Sequence, residues 1–83
     1  MTIITIITRD RAWTTEEAER IQVANQDSIA AGTQGPTVAF SADATGLPQT
    51  TIRIWTTTDV ANAYVAMING FTPPPTSATV QTY

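Results

Sequence analysis

The sequence predicts an α+β domain: a four-stranded antiparallel sheet with two helices on one face, ordered strand–helix–strand, strand–helix–strand. Three observations predict it. RAWTTEEA at residues 11–18 recurs as RIWTTTDV at residues 53–60, 42 positions on, and each copy opens a helical pattern. Segments rich in Ile, Val and Thr, which favour strands, precede each copy and follow each helix. Stretches containing Gly and Pro end both helical patterns. With 83 residues there is room for one domain and one core. Its halves fall at about 1–42 and 43–83.

Thr2–Thr8 reads as the first strand. Ile4 and Ile6 share one face and Ile3 and Ile7 the other, around Thr5. Apolar residues on both faces mark a central strand. Thr14 followed three residues later by Glu17 is a capping-box pattern, with Trp13 and Ala18 in the flanking staple positions. Glu16 and Glu17 also complement the positive end of the helix dipole. Ala18, Ile21, Ala24 and Ile29 recur on one face, with Asn25 and Ser28 among them. The helix runs over about 15–31 and stops at Gly32.

Thr37–Ala42 alternates Val38, Phe40 and Ala42 against Thr37, Ala39 and Ser41, a half-buried strand. Residues 43–49 hold the Asp, Gly and Pro of a turn. Thr50–Trp55 then sets Ile52 and Ile54 against Thr51, Arg53 and Trp55. In the second copy Thr56 and Asp59 take the capping positions, and Trp55 and Val60 the staple positions. Val60, Tyr64, Met67 and Ile68 form an amphipathic stripe. Gly70 is expected at C′, with Phe71 packing back on Met67, and Pro73–Pro75 forbids continuation. Ser77–Tyr83 supplies the last strand through Ala78, Val80 and Tyr83. From Trp to Gly is nineteen residues in the first copy and fifteen in the second. The difference of four is close to one helical turn, so the first helix lengthens without rotating its buried stripe.

Across essentially the whole chain this order resembles the ferredoxin-like βαββαβ plan. The resemblance implies that the strands preceding the helices lie side by side at the centre of the sheet. The other sheet face then meets water or a partner, exposing either Ile3 and Ile7 or Ile4 and Ile6. At about 25 cal/mol per Å² the cover of several such side chains is worth several kcal/mol before association costs, and an isologous homodimer is its simplest use. Aligning Arg11 with Arg53 sets Asp10 opposite Ile52, burying an acid unless the first strand ends by Arg9 or carries a bulge. The candidate interaction set is Ile3, Thr5, Ile7, Arg11, Trp13, Arg53 and Trp55. Its two Arg and two Trp, from equivalent strands, suit a cation–π pair or an anion-receptive spot.

Composition narrows the chemistry. The chain has no Cys, which removes disulfides and thiolate ligands, and no His, the usual acid–base group near neutral pH. Four Arg, no Lys and a net charge of −3 argue against a nucleic-acid backbone or an anionic membrane surface. MTIITIIT lacks the basic flank and the apolar length of a signal peptide, so the expected location is the cytoplasm. Glu16, Glu17 and Glu19 match neither a calcium loop nor a helix-face pair, and no metal or cofactor site is read. Asp10 and Asp43 stand at element ends, where turn duty is the default, and Asp10 between Arg9 and Arg11 reads as a local ion pair. No nucleophile-elbow, Walker or dinucleotide loop occurs, and no catalytic residue is assigned.

The chain also looks like the small dimeric monooxygenase and isomerase domains of the ferredoxin-like plan. That likeness implies substrate held between helices and sheet, near Trp13, Trp55, Tyr64 and Asn62, in a closed cavity of roughly 300 Å³ or more. Its short, lysine-free, Thr-rich style, with seventeen Thr, resembles small accessory proteins encoded by tailed bacteriophages. The leading expectation is a non-enzymatic interaction or accessory module that partners itself as a homo-oligomer, or another protein. A small-molecule binder or cofactor-free enzyme is the first alternative. A sheet-face nucleic-acid binder is the second.

Overall fold

A computed structural model describes residues 1–41 and 47–83, with backbone alone over 36–41. The elements are β1 (Ile3–Arg9), α1 (Thr15–Ala30), β2 (Gln34–Ser41), β3 (Gln49–Trp55), α2 (Thr58–Asn69) and β4 (Ser77–Thr82). The sheet order is β2-β3-β1-β4, and every neighbouring pair is antiparallel. This is the ferredoxin-like arrangement, with β1 and β3 central. The expected alternation of Val38, Phe40 and Ala42, and most of the expected turn over 43–49, lie outside the described residues.

Register decides which side chains meet the helices. Ile3, Thr5 and Ile7 of β1 are buried, whereas Ile4, Ile6 and Thr8 are half-buried. Across the β1–β3 ladder Ile3 pairs with Trp55, Ile4 with Ile54, Thr5 with Arg53 and Ile6 with Ile52. β1 ends at Arg9, so Asp10 lies in the exposed linker and no acid faces Ile52. At the far edge of β1, Thr2 and Tyr83 exchange two backbone hydrogen bonds of 2.7 and 2.8 Å, which tie the two ends of the described chain together.

The core forms where α2 crosses β1. Ala61, Tyr64 and Ile68 pack on Ile3, Ile7, Trp55 and Phe71. α1 is docked more lightly: Glu17 is its one buried residue, and Val23 and Ile29 are 55% and 54% exposed. Ile21 and Ala24 of the expected stripe do reach the core, but Ile29 does not. α1 has 16 residues and α2 has 12, the one-turn difference that the two Trp-to-Gly spacings imply.

The helix ends correct two expectations. Thr56 and Asp59 do not cap α2, because β3 continues through Trp55 and the Thr56 hydroxyl donates to Gly32 O at 3.3 Å. The cap moves one residue on, to Thr57, whose side chain accepts from Val60 N, and Asp59 is left as the first-turn acid. Gly70 is the C-cap of α2 with φ −81°, so it uses no left-handed conformation. Phe71 joins the core cluster against which Met67 packs, and it also meets the aromatic partner described below. Gly32 does need its freedom. It sits at φ +74°, where its N–H bonds Ile29 O and the following Thr33 N–H reaches Ser28 O, a Schellman closure of α1. A Cβ there meets nothing within 4 Å, so the cost of Gly32→Ala is the backbone conformation alone. The expected loss is about 1 kcal/mol, read as the shift in a chemical denaturation midpoint.

Candidate functional site

The first copy of the repeat builds a clamp. Thr14 and Glu17 form the expected capping box: Glu17 N donates to Thr14 Oγ1 at 3.2 Å, and Thr14 N donates to Glu17 Oε1 at 2.9 Å. The same carboxylate is gripped bidentately by Arg11, at 2.7 Å from Nη1 and 2.8 Å from Nη2. Arg11 Nη2 also donates to Pro73 O at 2.6 Å, which ties the start of α1 to the loop after α2. Beside it Trp13 meets Phe71 edge-on at 5.5 Å, and the guanidiniums of Arg9 and Arg11 lie 5.2 and 5.1 Å from the Trp13 ring centroid.

The Arg11 hydrogen bonds, followed by the Thr14 amide, hold the Glu17 carboxyl at about 2, below its ordinary 4.5. A carboxyl depressed in the folded state contributes stability above its unfolded value, and loses it as pH falls through the folded one. Wild type should therefore lose melting temperature between about pH 4.5 and pH 2. Glu17→Gln should start lower and show a flatter profile across that window, measured by thermal melts at a series of pH values.

The second copy does something different. Trp55 is the last residue of β3 and is 3% exposed, packed on Tyr64 with ring centroids 4.9 Å apart and planes tilted by 48°. Its indole Nε1 donates to Thr5 Oγ1 at 2.9 Å. Trp13 lies in the linker after β1, so the two Trp of the repeat occupy different settings. One belongs to the sheet core, the other to the clamp. A Trp55 ring beneath helix α2 offers no platform on which a base could stack.

The seven residues of the expected interaction set are thus employed on the helix side. Of the two isoleucine pairs left open, it is Ile4 and Ile6 that face away from the helices. Ile3, Thr5 and Ile7 are core residues and cannot serve as an exposed interaction set. Trp55 joins them, and Arg11 and Trp13 form the clamp. Arg53, through Nη1, donates to Gln34 Oε1 at 3.1 Å. Arg53 also borders a partly enclosed cavity of about 150 Å³ between the two helices and the sheet. Arg9 and Arg53 are its cationic wall, Thr5, Gln49 and Thr51 its neutral polar wall, and Ile7, Ile21 and Ile68 its apolar wall. Trp13 and Tyr64 complete the lining. Burial, and then the charge of Arg11, press the Arg9 pKa down, and burial pushes the Tyr64 hydroxyl up. Among the described residues no carboxylate lines this cavity, and their one salt bridge is Arg11–Glu17. The volume is well below the several hundred Å³ of an enclosed substrate chamber.

No protein-family model matches the chain, and neither does any curated protein or solved structure.

The open sheet face is the second candidate. Ile4 pairs with Ile54 and Ile6 with Ile52, giving a block of four half-buried isoleucines at the centre of the sheet. Thr8 and Thr50 share a hydrogen bond of 3.0 Å at one end of the block. Ser77, Thr79 and Gln81, the exposed β4 residues paired with Thr8, Ile6 and Ile4, flank it along one edge. None of these side chains is charged. The Ile52–Ile54 half was legible from strand alternation, but the partition of β1 needed the register. Among the described residues no helix is long and apolar enough to cross a membrane, and no group of three His, Cys, Asp or Glu is placed to hold a metal.

Proposed function

We propose that this chain is a non-enzymatic interaction module that associates with a second copy of itself through the open sheet face. The observation that carries this reading is the uncharged Ile4–Ile54 and Ile6–Ile52 block, flanked by Thr, Ser and Gln. A chain of net charge −3 repels its own copies wherever its acids face each other. The described side chains of this face set no charge against their mates, so an isologous stack of them is free of that penalty. Four strands of six to eight residues make a face about 20 Å on a side at ordinary strand spacing. Two such faces bury several hundred Å² each, the low end of specific interfaces, which implies micromolar rather than nanomolar affinity. In a cell this suits a small cytoplasmic accessory protein, of the kind its sequence style resembles among tailed phages, that works as a dimer or presents a dimer to a second protein.

The test is sedimentation equilibrium on wild type and on Ile6→Glu. A buried Glu facing its own copy across a two-fold contact is costly twice over. The variant should dissociate at least 100-fold more readily while keeping its far-ultraviolet circular dichroism. Equal association of both proteins would overturn the assignment of this face.

A further inference from the structure

We propose that the cavity between the two helices and the sheet binds a small organic anion, a carboxylate carried on an apolar body about the size of a benzene ring. Two of the chain's four cations, Arg9 and Arg53, line it, and among the described residues neither has a carboxylate partner. The other two lie outside the lining, Arg11 on Glu17 and Arg20 over the Phe71 ring at 5.2 Å. Among the described residues Arg9 and Arg53 are held only by neutral partners, Arg9 by Arg11 O and the Trp13 ring and Arg53 by Gln34 Oε1. In an acidic chain, two guanidiniums on one cavity with no acid in the described lining set a local positive potential. The planar guanidinium fork matches a carboxylate geometrically, and Gln49 and Thr51 add neutral polar atoms.

Ile7, Ile21 and Ile68 supply the apolar part of the lining, which suits an apolar body rather than a bare inorganic ion. The volume of about 150 Å³ sets the size. A cavity of that volume lined by apolar side chains holds one benzene molecule. Arg9 is half-buried, so the cationic wall is partly shielded from water and its hydrogen bonds to an anion are strengthened accordingly. The site lies on the helix side of the sheet, whereas Ile4, Ile6, Ile52 and Ile54 lie on the other, so its failure and that of the self-association reading are distinguishable.

The experiment is a titration of the full chain with three probes, benzoate, benzyl alcohol and inorganic phosphate, followed by calorimetry and Trp13 indole resonances. Benzoate is expected to bind at about millimolar Kd, the range for so small a ligand, and to shift the Trp13 signal. Benzyl alcohol and phosphate are each expected to bind at least tenfold more weakly, since one lacks the charge and the other the apolar body. Arg9→Gln and Arg53→Gln should each weaken benzoate about tenfold, whereas Arg20→Gln, outside the cavity, should leave it unchanged. Benzoate and benzyl alcohol binding alike, phosphate matching benzoate, or Arg20→Gln costing as much as Arg9→Gln would each overturn the proposal. Should an arginine variant fail to fold, the three probes on wild type still decide it.

Discussion

Ile68→Ala is expected to destabilise the protein by about 3–4 kcal/mol, in the upper half of the range for large-to-small core changes. Ile68 is 1% exposed and stands at the centre of the core cluster with Ile7, Tyr64 and Phe71. It also borders the cavity between the two helices and the sheet. A truncation there enlarges an existing space instead of opening a new one that neighbours can close. α1 is lightly docked, but the Arg11–Glu17–Pro73 clamp pins its start, so it cannot slide inward to fill the gap. A domain of this size holds roughly 5–15 kcal/mol in total, so the loss is a large share. A fall in melting temperature of about 15 °C or more, read by circular dichroism, is the expected result.

Trp55→Phe should cost about 2–3 kcal/mol, and the way it combines with Thr5→Val identifies the cause. Thr5 is 0% exposed, and its hydroxyl accepts the Trp55 indole N–H in the middle of the core. Phe keeps much of the packing on Tyr64 but strands that hydroxyl, and a buried unsatisfied polar group costs about 1–3 kcal/mol. Thr5→Val alone strands the indole N–H instead. The double variant strands neither, so its loss should fall short of the sum of the single losses by about 1 kcal/mol or more, measured by denaturant melts. Additive losses would show that the two side chains contribute through packing alone.

Element order, helix lengths and the first capping box were legible because each rests on local chemistry. Thr14 and Glu17 are three residues apart and need nothing from the rest of the chain. Where the reading failed, long-range pairing was in control. Whether Ile3 and Ile7 or Ile4 and Ile6 meet the helices depends on a ladder with β3 some fifty residues away, and strand alternation is blind to a choice between two apolar faces. The α2 cap moved to Thr57 for a related reason: Thr56 is held by the end of α1 through Gly32 O, a contact between distant segments. The two Trp share a motif but not a role, since β3 reaches its Trp and β1 stops four residues short of its own. Arg9, now on the wall of the cavity, carried no spacing signal and stood beside an acid that suggested a simple ion pair. Its significance comes from Arg53 on the adjacent strand.

The central claim, that copies of this chain meet face to face across their sheets, is tested most directly by isotope-filtered nuclear Overhauser spectroscopy. A sample mixing labelled and unlabelled chains at millimolar concentration reports only contacts between molecules. Cross-chain signals to the methyl groups of Ile4, Ile6, Ile52 and Ile54 are the predicted result. Silence at those methyls, or cross-chain signals confined to the helices, would contradict it.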